Sequence, residues 1–537
     1  MVAVENPPVH AADHSAPGRR RLRTAVGDAV PVIALIGAFF AVNDIRSWLT
    51  AQYWGDEAWV ALSVRFPVAD LPVTTSSSPI GWTFLLRLVP DIDYLRVVPL
   101  GFQLLTVVAA YFFGRWLGRD RAQGILIGVV TGLTVLLLPV QQTRHDLKQY
   151  TADAAVAVCL LALAAWTERS WSRARLAVTA AAVGLGMLLS HTTVIVAVCV
   201  LGGLLLSVAL RRQWGRAVEA TVAGLVAGGL AAAVYFGVSA RGNNDAMRDY
   251  WNAFLPSIAE LPGHLARQLD IVRPLLGVPL PVLAVLLVLG VLTLFGRGHA
   301  APALAVLLLP VAAIGLGVAG IYPLLDPRTS HFLIVSMGMV AGIGVVGLAD
   351  LAVVLARRGL PRLPPSVVVA ATCAVLIVSF AAVNHRWFRF DGDEPGVWRA
   401  HQAVTDIGSA TRYVAAHKGP NDLVVVSGPA WFGFTLYSDH DPLQLVAPVS
   451  GTVGWTVTMP TRTDVILPGP SRGDVRSVRD ALDEVLARAA TQPPGTRVWL
   501  VRTYTHPSEP TWQTALAEYR VQQVTTGPEP VVVISKR

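Results

Sequence analysis

Charged side chains stand beside long apolar segments at several places in this sequence, and they are the candidates for chemistry. An adjacent acidic pair, Asp56 and Glu57, follows the first apolar segment, and Asp146, Lys148 and Arg328 precede later ones. Carboxylates accept protons or bind cations, whereas lysine and arginine donate to anions. Ionisable groups at the end of a membrane helix are costly when they face the helix bundle, and they usually mark a functional site.

The composition indicates that membrane helices position these side chains. Of 537 residues, 53% are hydrophobic and only 15% are charged, whereas a soluble domain has about 25% charged residues. Lipid can cover the apolar surface that such a chain exposes. The three cysteines lie inside apolar runs and suggest no disulfide framework or zinc site. The net charge of +8 comes from short arginine clusters between apolar runs, which argues against nucleic acid as a partner.

The lengths of the apolar segments predict about eleven spans, since about 20 residues cross the hydrocarbon core. They are residues 26–44, 95–115, 122–140, 151–167, 175–190, 192–210, 217–238, 275–296, 301–320, 331–356 and 365–384. The SHTT sequence at 190–193 is the polar break where we expect a tight turn. Residues 1–25 are predicted to be a disordered cytoplasmic N-terminus, and 26–384 the transmembrane domain, with no cleavable signal.

Arginine clusters predict the orientation, because cytoplasmic loops are enriched in lysine and arginine. Six alternate loops carry these clusters if the stretch around SHTT crosses twice. We therefore predict a multi-pass protein of a bacterial plasma membrane, with a cytoplasmic N-terminus and residues 385–537 on the extracytoplasmic side. The bias towards Ala, Val, Gly and Arg is the reason for expecting a high-GC bacterium.

The C-terminal part, 385–537, has a different pattern. Residues 422–428, 497–503 and 530–536 are predicted to be buried strands, and 405–417, 475–490 and 511–519 to be helices. Alternating strands and helices indicate an α/β domain. The aromatic-rich stretch 428–438 is a candidate to pack over the membrane domain. The predicted fold class is a polytopic α-helical membrane protein with a C-terminal extracytoplasmic α/β domain.

Several motifs resemble the GT-C superfamily of membrane glycosyltransferases, in the branch related to protein mannosyltransferases and lipid A aminoarabinose transferases. The features are the Asp-Glu pair in a long first outside loop, SSSPIGWTFLLRL at 76–88, DLKQY at 146–150, LLSHTT at 188–193 and DPRTSHFLI at 326–334. The resemblance covers roughly 26–384. Lys148 replaces the commoner arginine, and His331 stands where an aromatic residue is often found.

The resemblance implies inverting transfer of a sugar from a polyprenyl-phosphate donor to an envelope glycan, lipid or protein. The composition expected of a high-GC bacterium is the reason for naming mannose or arabinose as the sugar. The acceptor hydroxyl then needs a base, and Asp56 is the candidate. Glu57 is an alternative base, a supporting partner or a metal ligand. Adjacent residues point about 100° apart on a helix, so both would face one site only if the backbone there is not helical. Capping of the helix that follows is the simpler interpretation of both.

The resemblance also assigns donor-phosphate binding to Arg144, Lys148 and Arg328, and substrate binding to Asp146, His191 and His331. Cationic donors would stabilise charge on the leaving phosphate. Other interpretations stay open: Arg144 as an interfacial anchor, and His191 as a hydrogen-bonded turn residue. For the fourth outside loop, about 239–274, a helix on the membrane surface is favoured over a role in acceptor binding or as a lid.

The residues leave two questions open. A divalent cation, Mg²⁺ or Mn²⁺, could be held by Asp56, but no cofactor is required by the sequence. A transporter or flippase of lipid-linked sugars is the alternative function, although the inverted repeats and midplane charges typical of transporters are not evident. A third hypothesis is a non-catalytic scaffold, or a polymerase or ligase of envelope glycans.

Overall fold

The structure is a computed structural model, and it describes most of the chain. The described residues are 17–74, 78–143, 146–237, 249–359, 364–388, 407–438, 442–446, 454–467, 474–504, 508–526 and 529–536. Residues 1–16 and Arg144 lie outside them. The predicted disorder differs from the structure at residues 17–25, which form the first turns of a helix. Pro17 suits the first helical position, and the arginines and leucine that follow favour helix.

A helix coincides with each of the eleven predicted spans. These helices are Pro17–Val42, Val97–Leu117, Arg121–Leu136, Tyr150–Arg169, Arg173–Leu189, Thr193–Leu210, Trp214–Gly237, Leu280–Gly296, Ala300–Val318, His331–Gly359 and Pro365–Val383. By length and apolar composition, seven helices of the described chain could cross a membrane, or eight if a bent pair is one span. The chain is a multi-pass membrane protein, and the count of eleven stays a prediction.

The predicted turn at 190–193 separates two helices, Arg173–Leu189 and Thr193–Leu210. The first long loop, residues 46–95, crosses over this turn with the short helix Ile80–Arg87. A Cβ atom at Gly81 would lie 2.6 Å from the Leu188 carbonyl oxygen. Because only glycine permits this approach, the sequence at Gly81 allows the loop to pack directly on the turn.

The bent pair consists of helices Leu261–Leu276 and Leu280–Gly296, which meet at 79°. Gly277 lies at the bend with a φ of 73°, a left-handed conformation that favours glycine. The first helix is amphipathic and follows the fourth loop, whereas the second is apolar. The fourth loop contacts the segment before helix His331–Gly359, where the Leu324 N–H donates to the Phe254 carbonyl at 2.9 Å.

The C-terminal region contains a five-stranded mixed sheet in the order β4-β1-β5-β7-β6. The strands are β1 Leu423–Val426, β2 Gln444–Val446, β3 Thr456–Thr458, β4 Val465–Ile466, β5 Val498–Val501, β6 Tyr519–Gln523 and β7 Val532–Lys536. Strand β1 is parallel to β4 and β5, while β7 is antiparallel to β5 and β6. Strands β2 and β3 form a separate antiparallel pair.

The helices of this region are Ile407–His417, Gly428–Tyr437, Val475–Ala490 and Glu509–Leu516. The three predicted strands match β1, β5 and β7. Strand β6 was not predicted, because four of its five residues are exposed and lack the apolar run of a buried strand. Its first residue, Tyr519, falls in a stretch that the sequence predicted as helix.

The first long loop and the α/β region share one hydrophobic core. Helix Gly428–Tyr437 packs against helix Gly55–Ser63, as the aromatic-rich sequence suggested. Trp455 lies at the contact, where its indole N–H donates to the Thr74 carbonyl at 2.8 Å, and its own carbonyl accepts from the Trp59 indole at 3.2 Å. Phe66 packs edge-on against the Trp455 ring, with centroids 5.4 Å apart. The α/β region is therefore part of the support for the first long loop.

Replacing Trp455 with alanine should destabilise this shared core. We expect Trp455→Ala to lower the free energy of unfolding by about 3–5 kcal/mol, because it removes a buried ring and leaves a cavity. Thermal unfolding of the purified protein in detergent measures the change. Val521→Ala, on exposed strand β6, is the control and should change stability by less than about 0.5 kcal/mol. Equal effects of the two substitutions would contradict the shared core.

Candidate active site

Asp56 and Glu57 lie in the first turn of helix Gly55–Ser63 and point in different directions. Trp54 is the residue before the helix, and its backbone N–H donates to the Glu57 carboxylate at 3.3 Å. Because the backbone is helical here, neighbouring side chains diverge by about 100°. The Glu57 side chain is buried, whereas that of Asp56 is 40% exposed. One carboxylate therefore serves the interior of the loop, and the other faces accessible space.

Asp56 lies close to two cationic side chains from distant parts of the sequence. An Asp56 carboxylate oxygen is 3.8 Å from an Arg328 Nη atom. Lys148 interacts electrostatically with both Asp56 and Arg328. The structure thus brings together the acidic pair, the DLKQY motif and the late arginine motif. In the sequence, Lys148 follows Asp56 by 92 residues, and Arg328 follows Lys148 by 180 residues.

Lys148 is a buried cation, and two hydrogen bonds fix the backbone of the preceding residue, Leu147. The Leu147 N–H donates to the Glu57 carboxylate at 3.2 Å, and its carbonyl accepts from the Trp82 indole at 2.7 Å. The Lys148 ammonium lies over the Trp59 ring, 4.7 Å from its centroid. Burial lowers the pKa of Lys148 from its ordinary value, while the nearby Asp56 carboxylate opposes the shift.

Arg328 is positioned by a turn just before helix His331–Gly359. The Asp326 carboxylate accepts from the backbone N–H groups of Arg328 and Thr329, at 3.2 and 2.9 Å. The Tyr322 hydroxyl donates to the Thr329 carbonyl at 2.8 Å. DPRT therefore forms a turn before the helix, because an aspartate side chain readily accepts from backbone N–H groups two and three residues further on.

The fourth loop also reaches Arg328. The Arg328 guanidinium donates to the Tyr250 hydroxyl at 3.0 Å and lies 5.6 Å from the centre of the Trp251 ring. Tyr250 and Trp251 thus contact the site, because a cation attracts both a hydroxyl acceptor and an aromatic face. The amphipathic helix Leu261–Leu276 lies within the same loop, and its place on the membrane surface stays a prediction.

A fully buried ion pair joins Glu57 to Arg96, with both side chains 1% exposed. The Arg96 Nε and Nη2 atoms donate to the two carboxylate oxygens at 2.8 and 2.6 Å. Arg96 also donates to the carbonyls of Trp48 and Gln52, both at 2.9 Å, and to that of Ala51. The pair therefore links the start of the first long loop, the Asp56 helix and the start of helix Val97–Leu117.

The other predicted site residues lie in different surroundings. Asp146 is buried and interacts electrostatically with Lys148, whereas His331 is fully buried at its helix start. His191 is exposed in the SHTT turn and makes no hydrogen bond or ion pair with the described residues of the Asp56 cluster. Asp153 instead reaches that turn and hydrogen-bonds with Ser190 and Thr192. Arg144 lies outside the described residues.

A divalent cation does not fit the groups around Asp56. Within the described residues, no group of three or more His, Cys, Asp or Glu side chains is arranged to hold a metal ion. In the described part of the chain, the charged groups that interact with Asp56 are Lys148 and Arg328, and two cations repel a third. These residues suit an anionic ligand instead.

Sequence reasoning missed two residues at or beside the site, Trp59 and Arg96, and it considered Tyr250 and Trp251 only for the less favoured role, in acceptor binding or as a lid. Two signals could have found the first pair. Arg96 stands alone at the start of an apolar span, a position where a charge needs a buried partner. Trp59 follows Asp56 by three residues, which places both on one helix face. The contacts of Tyr250 and Trp251 with Arg328 join residues 78 and 77 positions apart and carry no local signal.

Comparison with known proteins defines the fold. No family model matches the sequence, and no curated protein matches it. The structure is similar to that of ArnT from Cupriavidus metallidurans in the apo state, with a TM-score of 0.52 and 15% identity over 95% of this chain and 98% of that chain. The GT-C fold predicted from the sequence is therefore confirmed.

Two more distant structures have lower scores. An oligosaccharyltransferase of Archaeoglobus fulgidus matches with a TM-score of 0.46 and 12% identity, over 78% of this chain and 63% of that chain. Arabinosyltransferase EmbB from Mycobacterium smegmatis matches with a TM-score of 0.39 and 14% identity, over 84% of this chain and 46% of that chain. The fold assignment rests on the ArnT comparison, which spans nearly all of both chains.

Breaking the buried Glu57–Arg96 pair should cost more than removing it. We expect Arg96→Met to lower the free energy of unfolding by about 3–5 kcal/mol, because it leaves a buried, unpaired carboxylate. Adding Glu57→Leu should restore part of the loss, since neither charge then remains. Unfolding in detergent, monitored by tryptophan fluorescence, measures both.

The matched control is Arg273→Met. Arg273 pairs with Asp270 at 3.3 Å, but both side chains are more than half exposed, and exposed pairs contribute about 0–1 kcal/mol. If Arg96→Met were no more destabilising than Arg273→Met, the buried pair would not support the loop in the way we describe.

Proposed function

We propose that the protein is an inverting glycosyltransferase that moves a sugar from a polyprenyl-phosphate donor to a cell-envelope acceptor. The observation that carries the proposal is the meeting of Asp56 with Lys148 and Arg328 at one end of the bundle. A carboxylate beside two cations supplies both a base for a hydroxyl and a binding site for a phosphate. The GT-C fold is consistent with this chemistry but does not specify the sugar, donor or acceptor.

The proposed reaction is a single displacement at the anomeric carbon. The acceptor oxygen forms a bond to that carbon while the bond from the carbon to the phosphate oxygen breaks, which inverts the configuration. Asp56 takes the acceptor's proton. The electron pair leaves with the polyprenyl phosphate, and Lys148 and Arg328 stabilise the negative charge that develops there.

The 3.8 Å contact between Asp56 and Arg328 has a consequence for this reaction. In a direct displacement, the attacking oxygen, the anomeric carbon and the leaving oxygen must all lie between the base and the phosphate. The 3.8 Å distance joins the Asp56 carboxylate to one Arg328 Nη atom. A phosphate held by the other N–H groups of the guanidinium would lie farther from the base, with room for these atoms between them.

Glu57 has a supporting role in this proposal. Its carboxylate oxygens already accept from Arg96, Leu147 and Trp54. Trp54 lies two residues before Asp56, and Leu147 immediately precedes Lys148. The Glu57 carboxylate therefore fixes the backbone near the proposed base and the backbone near a proposed phosphate-binding cation. We therefore assign the proton transfer to Asp56 alone and treat Glu57 as a positioning residue.

Asp56→Asn is the direct test of the base. The amide keeps the shape of the side chain but cannot accept the proton, so we expect a loss of transfer of about 10²–10⁴-fold while a polyprenyl phosphate still binds. Transfer is measured by mass spectrometry, with purified protein, polyprenyl-phosphate-linked mannose or arabinose and an envelope fraction. The same analysis of cells with and without the protein identifies the acceptor.

Asp93→Asn is the matched control, because Asp93 is an exposed aspartate of the same loop. Its transfer rate should stay close to that of the wild type. If Asp56→Asn retained full activity, the proposed base would be wrong. If the wild type moved a lipid-linked sugar across the membrane of vesicles without transferring the sugar to an acceptor, the transporter alternative would replace the proposal.

The lowered pKa of Lys148 predicts a pH dependence of donor binding. Only the protonated ammonium attracts the phosphate, and burial makes it lose its proton at a lower pH than an ordinary lysine. The KM for the donor should therefore rise with pH, starting below the ordinary lysine pKa of about 10.4. In Lys148→Arg this rise should disappear, because arginine stays protonated. An unchanged pH profile in Lys148→Arg would exclude Lys148 as the titrating group.

A further inference from the structure

The Arg328 guanidinium is fixed less tightly than its crowded surroundings suggest. Its Nη1 atom is 3.8 Å from the Asp56 carboxylate, and its Nε atom is 3.7 Å from that of Asp326. Both contacts are ion pairs too long for hydrogen bonds. Among the residues that the structure describes, the Tyr250 hydroxyl is the one acceptor within hydrogen-bond distance of the guanidinium, at 3.0 Å.

A guanidinium carries five N–H donors in a rigid planar fork. With one of them directed at Tyr250, the remaining donors can bind a phosphate through two parallel hydrogen bonds. Such binding depends on the orientation of the plane, unlike binding by the point charge of a lysine. A residue that holds one corner of the fork therefore determines whether the others meet the phosphate.

Tyr250 belongs to a packed aromatic group that is tied to the Arg328 segment. Its ring lies edge-on to that of Trp251, with ring centroids 4.9 Å apart. The ring centroids of Trp251 and Phe254 are 5.8 Å apart. The Phe254 carbonyl accepts from the Leu324 N–H at 2.9 Å, four residues before Arg328. The Tyr250 ring is thus held by aromatic packing, and this aromatic group is hydrogen-bonded to the same segment that carries Arg328.

We infer that Tyr250 is a positioning residue: its hydroxyl orients the Arg328 guanidinium for bidentate binding of the donor phosphate. The inference rests on the proposed function. It assigns the fourth loop to the donor side of the reaction, because the loop acts through the cation that receives the leaving group. Tyr250 itself needs no contact with the sugar or the acceptor.

Tyr250→Phe tests this role, because it removes the hydroxyl and keeps the ring against Trp251. With farnesyl phosphate as the probe, the Kd should rise about threefold to tenfold, the effect of one modest hydrogen bond. In transfer assays the donor KM should rise by a similar factor, with kcat within about twofold. Tyr94→Phe is the control, since Tyr94 is exposed in the first long loop, and it should bind the probe as the wild type does.

A double-mutant cycle separates orientation from general destabilisation. Lysine in Arg328→Lys lacks the fork, so adding Tyr250→Phe should change the Kd by less than about twofold. The same factor in both backgrounds would overturn the inference, because it would show a role independent of the guanidinium.

The probe also distinguishes failure of the inference from failure of the proposed function. If the wild type does not bind farnesyl phosphate, the phosphate site of the proposed function is wrong, and the role of Tyr250 is wrong with it. If the wild type binds the probe and Tyr250→Phe binds it equally well, the phosphate site stands and only the inference about Tyr250 is overturned.

Discussion

The buried pair of Glu57 and Arg96 is the interaction on which the site depends. A buried charge is tolerated only when it is paired and its remaining hydrogen-bonding groups are satisfied. Arg96 meets this requirement with carbonyls from the loop that precedes Asp56, and Glu57 meets it with the N–H of Leu147. One electrostatic requirement therefore fixes the distance between the Asp56 helix and the segment that carries Lys148.

The division of work between Asp56 and Glu57 follows from helix geometry. Consecutive residues of a helix cannot face the same partner, so the acidic pair supplies one carboxylate to the interior and one to accessible space. The buried carboxylate is held by hydrogen bonds and positions the backbone. The exposed one lies 3.8 Å from Arg328 and is the carboxylate to which we assign the proposed proton transfer. Two identical charges thus acquire different roles from a rotation of about 100°.

The two cations are also supported by aromatic faces. The Lys148 ammonium lies over Trp59, and the Arg328 guanidinium lies over Trp251. An indole face attracts a cation without neutralising it, so both groups keep their positive charge available to an anion. Trp59 also hydrogen-bonds with the α/β region through Trp455. The described residues of the C-terminal region bring no charged group to Asp56, Lys148 or Arg328. This region therefore contributes by packing behind Trp59, the residue that faces Lys148.

The sequence by itself determined the membrane helices, the polar turn at 190–193 and the α/β character of the C-terminal region, and it named three charged residues that the structure brings together, Asp56, Lys148 and Arg328. These features are local, because hydrophobic length, strand-length apolar runs and charges beside helix ends are written in neighbouring residues. The tertiary structure alone decided that Glu57 pairs with Arg96, and that Tyr250 reaches Arg328. Those contacts join residues 39 and 78 positions apart, and only the crossing of the loops over the bundle brings them within hydrogen-bond distance.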